Sequence, residues 1–215
     1  MDYSPVVSSE ISGPQSGFEA LELLRRPPVR ERADAARNRA AVLDAASRLF
    51  AERGVDGVSM DEVAAEAGVG KGTLFRRFAD KAGLATALLD ARETELQQRI
   101  LSGPPPLGPS ASASDRLVAF VDAYLSYVLQ YLELVRMSEA RARYSIGAYR
   151  FWHRHTTILL TEAGHPDSAA AAHSLLAMLA AEHLSGVLGE LGEARIRRSA
   201  ADLARRLCVT GSGAP

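Results

Sequence analysis

The stretch AGVGKGTLFRRF, residues 67–78, concentrates residue types that bind phosphate groups. Two glycines flank Lys71, Thr73 follows, and two arginines come shortly after. Glycine amides, an ammonium group and a hydroxyl can surround the phosphates of a nucleotide, or they can contact the phosphates of DNA from the start of a short helix. The first arrangement indicates a nucleotide-using enzyme, and the second indicates a DNA-binding regulator.

The nucleotide alternative fits the spacing poorly. A phosphate-binding loop of the P-loop type needs G-x-x-x-x-G-K-[ST] after a buried strand. Here Gly72 follows Lys71, and Ala65 stands where the first glycine would be required. The preceding segment has the pattern of a capped helix, so the scaffold that a P-loop requires is missing. Nucleotide binding to the purified protein would distinguish this alternative.

The same residues fit two helices joined by a tight turn. Residues 59–62, Ser-Met-Asp-Glu, form a capping box that predicts the start of the first of these helices. Ala64 is small enough for a close helix crossing, Gly68 permits a left-handed turn, and Leu74 and Phe78 share one face of the next helix. This second helix of the pair, roughly residues 71–78 and the third predicted helix of the chain, then exposes its basic side chains. The pattern predicts a helix-turn-helix.

The elements around this motif are predicted to be helical throughout. The chain has 215 residues, is 47% hydrophobic and 24% charged, and carries a net charge of −1, so a DNA-binding surface must be a local basic patch. Alanine and leucine dominate, and no segment has the alternation of a strand. Asp80 can cap a long fourth helix. Further helices are predicted near 115–130, 133–144, 146–163, 167–191 and 194–208.

Residues 36–84 closely resemble the N-terminal DNA-binding domain of TetR-type (TetR/AcrR) transcriptional repressors, through the order AGVxxGTLFxxF followed by a lysine three residues on. The resemblance implies an all-α protein: an N-terminal three-helix helix-turn-helix DNA-binding domain followed by a C-terminal helical ligand-binding and dimerisation domain. We assign residues 1–30 to a disordered basic-ended arm, 31–80 to the DNA-binding domain and 81–210 to the effector-binding and dimerisation domain.

The resemblance also implies which residues contact a double-stranded, palindromic DNA operator. Lys71 and Arg76 would face the groove, while three others, Thr73, Arg77 and Lys81, would hold phosphates. The complete set expected at the DNA is Gly70, Lys71, Gly72, Thr73, Phe75, Arg76, Arg77 and Lys81. Phe75 stands where the family commonly has tyrosine, and Gly70 where a small polar residue is common, so the contacts are expected to differ in detail.

The C-terminal half carries no catalytic or metal-binding signature, and neither a cofactor nor an enzymatic activity is expected. His153 and His155 are two residues apart on a predicted helix, which places them on different faces and makes them a poor metal pair. Aromatic residues recur on two predicted helices, as expected for an apolar pocket with a few polar groups. We predict a small-molecule site bordered by Phe120, Tyr124, Tyr131, Phe151 and Trp152.

The last two predicted helices, 167–191 and 194–208, look like a dimer interface. The first has apolar or small residues on more than one face, and such a helix must be covered on both sides. We therefore predict a homodimer held by these helices, with Leu184 and Leu203 in the contact.

Together these observations predict a cytoplasmic homodimeric transcriptional regulator, a repressor that a small apolar or aromatic ligand releases from its operator. No membrane partner is expected, because no apolar stretch is long enough to span a bilayer. The alternative of the same fold is a regulator without a small-molecule effector, controlled by a protein partner or by its abundance.

Overall fold

The computed structural model describes residues 33–141 and 148–209, and the regular elements in these two ranges are all α-helices. The all-α prediction is thereby confirmed for this part of the chain. The predicted arm at residues 1–30 lies outside the described residues. The helices are α1 (Ala33–Arg53), α2 (Met60–Glu66), α3 (Lys71–Phe78), α4 (Lys81–Ser102), α5 (Ala113–Gln130), α6 (Leu132–Arg141), α7 (Ala148–Glu162), α8 (Ser168–Met178), α9 (Ala181–Leu191) and α10 (Glu193–Val209).

Helices α1 to α3 form the N-terminal bundle, and local capping positions its second helix. The Ser59 hydroxyl accepts a hydrogen bond from the Glu62 amide at 3.2 Å, and the Ser59 amide donates to the Glu62 carboxylate at 2.8 Å. The bond from the Ser59 amide, a second from the Ser59 hydroxyl to the same carboxylate and one from Arg53 lower the pKa of Glu62 to about 2. The predicted capping box is therefore present, and the carboxylate that closes it also ties α2 to the end of α1 through Arg53.

The turn between α2 and α3 depends on Gly68. Its φ of +66° lies in the left-handed region, which a residue with a Cβ adopts only at a cost. After this turn, Leu74 and Phe78 of α3 are buried, at 1% and 6% exposure, and α3 packs against α2 and α4. The turn and the two buried side chains together present the opposite face of α3 to the outside.

The C-terminal helices enclose a second hydrophobic region centred on α5 and α7. Helix α5 lies between α7 and α10, and α7 packs along α8. The largest side chains that are fully buried in this region are Phe120, Phe151 and Trp152. These three side chains thus come from the two helices on which the sequence predicted recurring aromatic residues.

The predicted single helix over 167–191 is wrong, because the chain breaks between α8 and α9. Ala180 is extended (φ −64°, ψ 141°), and the two helices meet at 56°. Leu179 and Ala181 are both fully buried, yet two residues two positions apart point to nearly opposite sides of a straight helix. The bend allows both to face the core. No single helix in the described ranges has the length and apolar character to cross a bilayer, although α8 and α9 taken as a bent pair do.

Candidate nucleic-acid interface and buried aromatic cluster

Helix α3 exposes a compact polar and basic face. Lys71, Gly72, Thr73 and Arg76 are exposed, and Phe75 is an exposed aromatic side chain at 45%. Gly70 is the N-cap residue, and it contributes no side-chain hydrogen bond to the end of the helix. The first amides of α3 are therefore not capped by a side chain, and a phosphate oxygen is a suitable acceptor for such amides.

Among the residues that the structure describes, the exposed cations of α3 interact only with other surface side chains. Lys71 donates to the Asp61 carboxylate of α2 at 2.5 Å, with both side chains more than half exposed. Arg76 lies 3.4 Å from the Thr73 hydroxyl. Exposed ion pairs contribute little free energy, so these side chains can exchange their present partners for DNA at a small cost.

Arg77 and Lys81 are placed differently from the other residues of the predicted DNA-contact set. Arg77 is half-buried and donates to the Ala35 carbonyl of α1 at 3.3 Å. Lys81 is also half-buried and donates to the carbonyls of Val58 and Asp56 at 3.0 and 3.3 Å. Both cations tie neighbouring parts of the bundle together, which is a structural role that the sequence did not indicate.

The junction between α3 and α4 is tightly constrained by two residues that sequence reasoning missed. Ala79 has φ +60° and ψ −60°, a conformation that side chains with a Cβ rarely adopt. A Cβ on Gly83 would lie 2.1 Å from the Phe78 carbonyl oxygen. Asp80, as predicted, caps α4 by accepting from the Gly83 amide at 2.7 Å. A glycine in the first turn after a cap was the available sequence signal.

The scaffold also bears on the nucleotide alternative. The segment before Gly70 and Lys71 is helix α2, whereas a P-loop follows a strand. The described residues around this motif form helices only. The GKGT sequence therefore lies at the start of an exposed helix in a bundle, which is the geometry of a helix-turn-helix rather than a nucleotide cradle.

The five residues predicted to border a ligand site lie in one chain of aromatic contacts. The Phe120 ring stacks near Trp152 with centroids 6.0 Å apart, and Tyr124 meets Trp152 edge-on at 5.6 Å. Phe151 meets Trp152 at 5.2 Å, and Tyr131 joins the chain through Tyr127. These residues, at most 9% exposed, pack against one another. We refer to them, with Tyr127, as the aromatic cluster.

His155 and Arg116 are buried beside the aromatic cluster. His155 is fully buried, and its ring meets that of Phe120 edge-on with centroids 5.1 Å apart. Burial, with a contribution from the positive charge of Arg116, lowers the pKa of His155 to about 3. Sequence reasoning considered His155 only as a metal ligand. Its position one helical turn after Phe151 and Trp152 was the signal for a place in the core.

Two cavities among the described residues lie outside the aromatic cluster. One of about 200 Å³ lies between α1 and α3 and includes Ala35 and Arg77. The other, about 290 Å³, lies over α7 and α8 beside Tyr149, His153 and His173. Within the described ranges, no group of three or more histidine, cysteine or acidic side chains is placed to hold a metal ion.

Polar contacts connect the aromatic cluster to the N-terminal bundle. The Tyr131 hydroxyl shares a buried hydrogen bond of 2.7 Å with Ser47 of α1. Arg92 of α4 pairs with Asp44 of α1 at 2.7 Å. The Tyr127 hydroxyl, in turn, donates to Glu93 of α4 at 3.0 Å. Helix α5 and the residue that follows it therefore contact both α4 and α1.

Comparison with known proteins agrees with this arrangement. Residues 42–88 match the family model described as bacterial regulatory proteins, tetR family. An HTH-type transcriptional regulator of Staphylococcus aureus (strain USA300) is 47% identical over 53 residues, which make up 25% of this chain and 29% of the relative's own length. The aligned region therefore covers less than a third of that relative.

Two solved structures resemble nearly the whole described fold. A TetR-family transcriptional regulator from Pectobacterium atrosepticum superposes with a TM-score of 0.60 at 25% identity, covering 81% of this chain and 94% of that one. A transcriptional regulator from Rhodococcus sp. Rha1 superposes with a TM-score of 0.60 at 19% identity, covering 84% and 99% of the two chains. The second likeness concerns the fold alone.

Proposed function

We propose, from the premise that the N-terminal part of this chain is a TetR-family DNA-binding domain, that the protein is a transcriptional repressor released from its operator by a small ligand. The family is one of transcription factors and not of enzymes. The observation that carries the proposal is the exposed face of α3, with Lys71, Thr73 and Arg76 free of the core while Leu74 and Phe78 hold the helix in place. Because bacterial chromosomal DNA lies in the cytoplasm, the protein acts there.

Selection from a random duplex library tests DNA recognition directly. The selected sequences should contain an inverted repeat, since a symmetric dimer presents two copies of α3. On that operator, Arg76→Ala should weaken binding and relax the preference for one base pair in each half-site, at about 1–3 kcal/mol per lost base contact. Arg99→Ala, which removes an exposed arginine from α4, is the matched control and should bind normally. Recovery of no repeat from the selection would contradict the proposal.

Arg77 tests the expected phosphate contact separately. Arg77→Ala should weaken binding to all DNA sequences alike and lower the salt slope by about one. Because Arg77 also donates to the Ala35 carbonyl, the thermal stability of the variant must be measured alongside its affinity. An altered base preference with an unchanged slope would place this side chain in the groove instead.

The contacts of α5 support control by a ligand. This helix carries Phe120 and Tyr124 of the aromatic cluster, and the residue after its end, Tyr131, bonds to Ser47 of the DNA-binding domain. A ligand that changes the position of α5 would act on α1 through this bond and on α4 through Tyr127. For release from DNA, the ligand must bind the displaced arrangement more tightly than the DNA-bound one.

A regulator without a small-molecule effector remains the second candidate, and one observation favours it. The aromatic cluster is packed, and the two cavities described above lie elsewhere. The emission of Trp152, the only tryptophan, separates the candidates. A compound that changes this emission saturably and also releases the operator supports ligand control. If no compound releases the operator, control by a partner or by abundance is favoured. A compound that releases the operator without changing the emission binds away from Trp152.

The dimer contact is proposed at the last helices, with one change from the residues first expected. Leu184 is 1% exposed within a single chain, so it belongs to the core and cannot probe an interface. The outer face of α9 instead carries Gly186 and Gly189, where an added Cβ would meet nothing within 4 Å. Small residues of this kind permit the close approach of a second helix.

Substitution at this glycine face tests the proposed interface. Gly186→Arg fits the single chain and should raise helix propensity, yet it would clash with a partner that covers α9. We expect monomers in sedimentation and loss of operator binding, because each half-site contact would then act alone. Glu52→Arg, at an exposed position of α1, is the control for added charge. A Gly186→Arg protein that remains dimeric would place the interface elsewhere.

A further inference from the structure

The strongest unexplained feature of the core is the buried imidazole of His155. Its exposure is 0%, and neither ring nitrogen has a hydrogen-bond partner among the described residues. A buried polar group without a partner costs free energy, and such groups in folded proteins call for an explanation. A ligand that accepts a hydrogen bond would provide one.

The positive charge of Arg116 acts on this imidazole from α5. The Arg116 side chain is 3% exposed, and its guanidinium lies 3.6 Å from the carboxylate of Glu162, which is 47% exposed. Arg116 also lies one helical turn before Phe120 on α5, which puts it on the same side as the ring that meets His155. The charge of Arg116 acts on His155 and contributes to its lowered pKa. The polar end of this region is therefore suited to an anion.

We propose that the effector is an apolar carboxylic acid, whose carboxylate binds to His155 and Arg116 and whose hydrocarbon body lies between Phe120 and Trp152. This inference rests on the proposed function, since it specifies the ligand of that same control. The neutral imidazole donates its N–H to one carboxylate oxygen, and the guanidinium donates to the carboxylate as well. A neutral alcohol can accept a hydrogen bond from these groups but carries no charge to pair with Arg116, and a cation is repelled by Arg116.

The geometry also links binding of this acid to movement of α5. The Phe120 and Trp152 centroids are 6.0 Å apart, whereas a hydrocarbon layer between two rings needs about 7 Å, two van der Waals contacts of about 3.5 Å each. The body of the acid therefore enters only when α5 moves away from α7. The acid binds the separated arrangement better than the present one, which is the condition for a shift of the equilibrium. The movement reaches α1 through the hydrogen bond between Tyr131 and Ser47.

Trp152 emission measures binding in the full-length protein. Decanoate and 4-phenylbutyrate are the carboxylate probes, and decan-1-ol and 4-phenylbutan-1-ol are the neutral matches. Each acid should bind at least about tenfold more tightly than its alcohol, the size of a charge-assisted hydrogen bond. Whichever acid binds more tightly identifies an aliphatic or an aromatic body as the preferred one.

Two variants test whether His155 and Arg116 cause the preference for acids over alcohols. His155→Phe keeps a ring of similar size, so it should fold and lose about tenfold in affinity for the acids while the alcohols change less. Arg116→Gln should abolish the preference for acid over alcohol. Arg99→Gln, at an exposed position on α4 away from the proposed interface, is the matched control and should retain it. Circular dichroism of each variant verifies folding, and His155→Phe suffices if Arg116→Gln does not fold.

The outcomes separate this inference from the proposed function. Equal affinities of acids and alcohols, an unchanged preference in His155→Phe, or no saturable change with any probe overturns the inference. Operator release is measured in the same titrations by fluorescence anisotropy of labelled DNA. Acids that bind as described but leave the operator bound would overturn ligand-controlled repression and leave the site itself established.

Discussion

Lowering the pH from 7 to 5 should destabilise this protein through His155. The folded-state pKa of this residue is about 3, because its ring is fully buried and lies near the charge of Arg116. In the unfolded chain a histidine has a pKa of about 6.5. Above that value the imidazole is neutral in both states. As the pH falls below it, the unfolded chain takes up a proton that the folded protein does not, so the free energy of unfolding decreases until the folded pKa is reached.

The size of this effect follows from the two pKa values. pH 5 lies about 1.5 pH units below the pKa of the histidine in the unfolded chain, whereas the histidine in the folded protein is still neutral at that pH. At about 1.4 kcal/mol per pH unit, the free energy of unfolding therefore decreases by about 2 kcal/mol. No discount for solvent screening applies, since the ring has no exposed surface. The sign of the loss is set by the direction of the pKa shift.

Urea denaturation at pH 7 and pH 5 measures this loss, at one fixed protein concentration because the stability of the proposed dimer would depend on concentration. His155→Phe should lose about 2 kcal/mol less between the two pH values than the unmodified protein. Other titrating groups contribute to both proteins and cancel in the difference. An identical pH dependence for His155→Phe and the unmodified protein would show that His155 is not held neutral in the core, and the reasoning would fail.

Three further predictions concern the DNA-binding domain and its connection to the core. Asp61→Asn should tighten DNA binding about two- to fivefold in anisotropy titrations, because it releases Lys71 from an exposed pair of about 0.2–1 kcal/mol; unchanged affinity would mean that Lys71 does not contact DNA. Gly83→Ala should lower the midpoint of thermal unfolding, because the added Cβ would meet a backbone carbonyl. Ala79→Gly should raise stability by about 1 kcal/mol, because glycine adopts the positive φ of this position without strain. Effects of the same sign for the two variants would contradict this geometry. Tyr131→Phe should leave ligand binding intact and weaken ligand-induced operator release, because it removes the buried bond to α1; release at unmodified ligand concentrations would exclude that bond from the coupling.

The sequence by itself determined the elements that depend on neighbouring residues. Ser59 and Glu62 are three residues apart and cap α2, and Asp80 caps α4 over the same short range. Gly68 was predicted at the turn because a left-handed conformation disfavours a Cβ. The helix periodicity, likewise, placed Leu74 on the buried side of α3. These features depend only on interactions between residues close in sequence, so the helix-turn-helix and the exposed face of α3 could be predicted from the sequence alone.

Tertiary structure alone decided the features that depend on distant residues. No breaking residue lies between α8 and α9, and the chain bends there because Leu179 and Ala181 must both reach the core. Leu184 has the composition of an interface residue, but packing within one chain already covers it. The partner of Arg77 is 42 positions away on α1, which no local pattern specifies. The environment of His155 is likewise created in part by α5, a separate helix, and burial there keeps its imidazole neutral.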